Sequence, residues 1–139
     1  MKRFARALLA VLAFGLPSAF ADDTGEWRHY ARDAAGTRYA PLDDINRENA
    51  HTLVRAWTYR TGDLAEEGKH YAECTPLVVD GVMYIITPFS RLIALDATTG
   101  EELWRFMPDP PLDHNETGAG GLASRGVTYA ETGGKRRIY

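Results

Sequence analysis

Apolar residues between positions 76 and 106 fall in four short runs, each closed by turn-forming residues. The runs are Pro76-Leu77-Val78-Val79, Val82-Met83-Tyr84-Ile85-Ile86-Thr87, Arg91-Leu92-Ile93-Ala94-Leu95-Asp96 and Glu102-Leu103-Trp104-Arg105-Phe106. They are rich in β-branched and aromatic residues and too short for typical helices, so they predict four strands. Asp80-Gly81 separates the first two, and that dipeptide suits a two-residue hairpin whose central positions both need positive φ. Pro88-Phe89-Ser90 and Thr99-Gly100 close the next two turns.

Four short strands joined by tight turns make an antiparallel meander, the layout of one β-propeller blade. The run from Ala94 to Trp104 reads as its closing part: a strand end, a tight turn and an outer strand carrying one tryptophan. Leu53-Val54-Arg55-Ala56-Trp57-Thr58-Tyr59 predicts a further strand, ended by Thr61-Gly62-Asp63. Asp43 to Asn49 predicts a short helix or turn capped by Asn46 or Asp44. Leu64–Tyr71 and Met107–Gly121 read as loops. Arg125-Gly126-Val127-Thr128-Tyr129 predicts a strand, Thr132-Gly133-Gly134 a turn, and Arg137-Ile138-Tyr139 the start of its partner. A stop within a hairpin suggests a fragment, because an unpaired strand exposes backbone groups and an apolar edge. Trp57 and Trp104 lie 47 residues apart in similar frames, close to the roughly 40–50 residues of a propeller repeat. Each is expected to act by packing.

Residues 1–21 carry the three parts of a secretory signal: basic Lys2, Arg3 and Arg6, an apolar stretch from Ala7 to Leu16, and Ala19-Phe20-Ala21 as a cleavage site. The stretch is too short to span a bilayer. Residues 22–139 form the expected mature part, exported to the periplasm and without a membrane-spanning segment. Losing the signal removes three basic residues and moves the net charge from −3 to −6, which speaks against nucleic acid as a partner. Cys74 is the sole cysteine, so no internal disulfide forms, and such a residue is usually a small buried one. His29, His51, His70 and His114 show no metal-ligand spacing.

The chain resembles the N-terminal part of the pyrroloquinoline quinone (PQQ)-dependent dehydrogenases, the quinoprotein glucose and alcohol dehydrogenase family. The resemblance rests on Trp27–Asn46, Leu53–Asp63, Glu73–Pro88, Arg91–Phe106 and Ser124–Tyr129, in the family's order. It implies an all-β fold: the first blade and part of the next from an eight-bladed quinoprotein β-propeller. A closed ring of that kind needs some 320–400 residues. Leu53–Tyr59 would be the piece that joins the last blade, its partner strands lying outside this chain. The implied cofactors are PQQ and Ca2+. The implied partners are a sugar or alcohol substrate and a quinone or cytochrome electron acceptor.

PQQ is planar and carries three carboxylates, so its site calls for planar cations, flat surfaces and a divalent ion. Arg125, within Ser124-Arg125-Gly126, matches the family's cofactor-contacting arginine, and a guanidinium suits a carboxylate. Glu73 matches the family's glutamate near the cofactor; taken alone, it reads equally well as an ordinary strand-edge glutamate. The family's calcium ligands and catalytic aspartate have no counterparts here, so no catalytic or metal residue is assigned. Alcohol-oxidising relatives carry adjacent cysteines shortly before the Arg-Gly pair, where this chain has Ala119-Gly120-Gly121-Leu122. That favours the sugar or polyol branch, although Gly121 stands where the sugar enzymes tend to place a histidine. The rival expectation is a non-enzymatic propeller scaffold of the outer-membrane assembly lipoprotein type, against which stand the missing lipid-anchor cysteine and the family context of Glu73 and Arg125.

Overall fold

In a computed structural model, the structure describes residues 25–63, 72–108 and 124–139. The signal sequence, the Leu64–Tyr71 loop, His70, His114 and the Ala119–Leu122 stretch lie outside the described residues. The architecture is all-β. Strands β1 (Leu77–Val79), β2 (Val82–Ile86), β3 (Leu92–Asp96) and β4 (Glu102–Phe106) form one antiparallel sheet in the order β1-β2-β3-β4. Strands β5 (Tyr129–Thr132) and β6 (Lys135–Ile138) form a separate hairpin. Among the described residues, no helix is long and apolar enough to cross a membrane.

Turn chemistry sets the register of the blade. Asp80 and Gly81 both have positive φ, 49° and 76°, which places Val79 opposite Val82 and Leu77 opposite Tyr84. At the β3–β4 turn, the Asp96 carboxylate accepts the backbone N–H groups of Thr98 and Thr99 at 2.9 and 2.8 Å. Those bonds hold its carboxyl below the usual range. The two turns are tied together, Ala97 N–H donating to the Gly81 carbonyl at 2.9 Å.

The core lies between the four-stranded sheet and the β5–β6 hairpin. Leu77 and Val79 from β1 meet Val127 and Tyr129, with Trp27, Tyr84, Ile86, Leu92 and Ile138 packed around them. Ile93, Ala94 and Leu95 of β3 are buried, whereas all of β4 is exposed. Trp104 on β4 meets Tyr84 in a tilted ring contact with centroids 6.0 Å apart. Burying apolar surface contributes roughly 25 cal/mol per Å², so the fully buried Leu77 and Ile93 side chains stabilise the blade.

Three segments differ from the sequence expectations. Trp27 adds to the outer side of β1, exchanging two 2.9 Å backbone bonds with Val78; a single bridging residue leaves no periodic pattern to read. Leu53–Tyr59 belongs to no ladder among the described residues. It is anchored by Trp57 and Tyr59, and Leu53 and Val54 stay exposed. The hairpin strand begins at Tyr129 rather than Arg125, because Gly126 pairs with Thr75 instead. Its partner strand is in place, Lys135–Ile138 pairing along its length and Tyr139 exchanging two 2.9 Å bonds with Thr128. The capped turn at Asn46 forms as expected. Its side-chain oxygen accepts from Glu48 and Asn49 N–H, ahead of a 3-10 turn at Ala50–Thr52.

Candidate functional site

Glu73 and Arg125, 52 positions apart, are brought together beyond the start of β1. Thr75 and Gly126 form a parallel bridge, and Thr75 N–H donates to the Arg125 carbonyl at 3.0 Å. This sets the Arg125 guanidinium 3.5 Å from the Glu73 carboxylate, with the two side chains 83% and 42% exposed. The pair thus sits at an open edge, with arginine N–H donors in excess of those one carboxylate uses. Gly126 has φ 148°, a conformation side chains rarely adopt.

Cys74 turns the other way. Its thiol accepts the Ile86 N–H at 3.3 Å, two residues beyond Tyr84, where the β1–β2 pairing ends against Leu77. That contact satisfies a backbone donor where the strands part to carry Glu73 off the sheet. Burial pushes the thiol pKa up, which keeps it protonated and unreactive at neutral pH. Cys74, expected from the sequence as a small buried residue, is only half-buried.

Behind Cys74 is a cleft of about 660 Å³, lined by Thr61, Asp63, Ile86, Thr87 and Pro88 among others. Asp63 is 1% exposed and paired with the Arg91 guanidinium. Arg91 also stacks over Phe89, 5.0 Å from the ring centre. Sequence reasoning did not single out this pair: the residues lie 28 positions apart and follow ordinary turn signals, so only the fold reveals the contact. Among the described residues, no group of three His, Cys, Asp or Glu side chains is placed to hold a metal ion.

The pair sets a planar cationic donor beside a carboxylate acceptor. Arg125 can bind a carboxylate or carbonyl oxygen, and Glu73 can accept an N–H or O–H. A flat polyanion carrying a ring N–H, such as PQQ, fits this donor and acceptor set.

Comparison with known proteins gives the same family. The chain is 39% identical over 130 residues to the 1-butanol dehydrogenase (cytochrome c) of Thauera butanivorans, covering 94% of this chain and 18% of that protein. It is 40% identical over 109 residues to the quinoprotein glucose dehydrogenase of Escherichia coli, covering 76% of this chain and 13% of that protein. The fold superposes on the quinohemoprotein alcohol dehydrogenase of Comamonas testosteroni with TM-score 0.64 and 35% identity, covering 79% of this chain and 16% of that one. The chain therefore spans less than a fifth of the length of these relatives. Residues 27–139 match the family described as PQQ: glucose/ethanol/alcohol dehydrogenase, beta-propeller domain, and the chain belongs to that family.

Proposed function

We propose that this chain forms the opening blade, and part of the next, of a periplasmic PQQ-dependent dehydrogenase that oxidises a sugar or alcohol hydroxyl and passes electrons to a quinone or cytochrome. The observation that carries this reading is the Glu73–Arg125 pair, assembled from two separate sheet elements by the Thr75–Gly126 bridge. When bound, PQQ supplies the two-electron acceptor and a divalent cation such as Ca2+ polarises it. Arg125 holds an anionic edge of the cofactor through charge-assisted hydrogen bonds, and Glu73 accepts from a ring N–H or a protonated group. Calcium takes six to eight oxygen ligands, and none of the described residues is assigned to it.

Glucose and alcohol enzymes stand at nearly equal identity to the chain, so the substrate branch rests on the sequence before Arg125. The absence of adjacent cysteines at 119–122 supports a sugar or polyol over methanol. Alone, the chain is expected to be inactive, because the base that takes the hydroxyl proton belongs to other blades. The dehydrogenase identity of the relatives supports this reading over a non-enzymatic scaffold.

Replacing Arg125 by alanine in the full-length enzyme tests the proposal. A hydrogen bond to a charged group contributes about 1.5–3 kcal/mol, so the Kd for PQQ is expected to rise roughly 10- to 100-fold. Reconstitution at unchanged PQQ concentration would overturn the assignment. A second expectation concerns export: the N-terminal sequence of the periplasmic product should begin at Asp22 if cleavage follows Ala21, and a start at Met1 would remove the signal-peptide reading.

A further inference from the structure

Arg125 is 83% exposed, so its placement depends on its backbone more than on side-chain packing. That backbone is fixed at the neighbouring residue. Gly126 holds φ 148°, and a Cβ added there would meet the Thr75 carbonyl oxygen at 3.1 Å. The Thr75 N–H is already committed to the Arg125 carbonyl at 3.0 Å. The strip from Glu73 to Thr75 and the Arg125–Gly126 peptide therefore lie closer together than a side chain at position 126 would accept without a shift of the neighbouring backbone. We infer that Gly126 is a positioning residue: its missing Cβ lets the Arg125–Gly126 peptide dock on Thr75 and so sets the guanidinium against Glu73 in the geometry that receives the cofactor.

This inference rests on the proposed role of Arg125 in holding PQQ. Alanine at 126 forces two adjustments at once. The φ must leave the region open to glycine, and the main chain must withdraw from Thr75 by a few tenths of an ångström. Both move the base of Arg125 while Glu73 stays anchored through Cys74 and Ile86. Binding sites lose function when the groups that define them shift by about half an ångström, so the loss appears as weaker cofactor affinity.

The test is a double-mutant cycle in the full-length apoenzyme, with PQQ binding read by quenching of tryptophan fluorescence and folding checked by the urea midpoint. Gly126→Ala is expected to raise the PQQ Kd about tenfold when Arg125 is present, and to add nothing in an Arg125→Ala background. Thr75→Pro, which removes the N–H that holds the Arg125 carbonyl, is expected to behave the same way and serves if Gly126→Ala does not fold. Additive losses would overturn the positioning role, as would unchanged affinity in Gly126→Ala and Thr75→Pro while Arg125→Ala weakens binding. In either case the PQQ assignment would stand. Unchanged affinity in Arg125→Ala would instead overturn that assignment and the inference with it.

Discussion

Arg91→Ala is expected to destabilise the blade by about 3–5 kcal/mol, the cost of leaving one buried charge without its partner. Asp63 is 1% exposed, and one of its carboxylate oxygens has no hydrogen-bond partner among the described residues. Its charge is therefore compensated chiefly by Arg91. Loss of the guanidinium also removes the contact over Phe89, worth about 0.5–1 kcal/mol in partly exposed settings. The double variant Asp63→Ala/Arg91→Met should lose much less, because no uncompensated carboxylate remains and the methionine retains apolar contact. Urea unfolding of the three proteins at neutral pH distinguishes the accounts: equal losses in single and double variants would show that packing, and not charge burial, sets the cost. Asp63 ends the extended segment and shares a cleft with Cys74 and Thr87, so the pair fixes that segment beside the strand that presents Glu73.

The parts of the fold that were legible in the sequence are those set by local chemistry. Asp80-Gly81 and Thr99-Gly100 specify turns through the φ values they permit, and the apolar runs between them could only be short strands. The blade follows from those two facts. Leu53–Tyr59 has the same strand-forming composition yet forms no ladder among the described residues. A strand-like pattern reports an extended, half-buried surface, not a hydrogen-bonded neighbour. The pairing of Trp27 with Val78 leaves no pattern in the sequence because it involves one residue. The site was readable only through its resemblance to a family. Nothing in the spacing of Glu73 and Arg125 points to contact, since the bridge that joins them depends on the absence of a side chain at Gly126. The Asp63–Arg91 pair was hidden for a related reason: burial, which gives it its weight, is a property of the packed sheet.

Gly100→Ala should cost about 3 kcal/mol, far more than an exposed turn substitution normally does. Gly100 has φ 74°, and a Cβ there would lie 2.5 Å from the indole ring of Trp57. The backbone alone accounts for about 1–2 kcal/mol. The remainder comes from expelling a rigid ring that packs on the turn and donates its Nε1–H to the Ala97 carbonyl at 3.3 Å. In a Trp57→Ala background the same substitution should cost only the backbone part, so the two changes are strongly non-additive. Full additivity would show that the ring and the turn are independent. The extended segment has a second attachment, where Tyr59 and Arg105 share the Glu102 carboxylate and Arg105 donates to the Tyr59 hydroxyl at 2.9 Å. The Arg105 guanidinium, with the Tyr59 hydroxyl, holds the Glu102 carboxyl below its usual range. That cluster is exposed to solvent, where ion pairs contribute little, and it cannot replace the ring. The tryptophan and the glycine therefore work as one unit: the turn lacks a side chain so that the segment preceding the blade can lie flat against it.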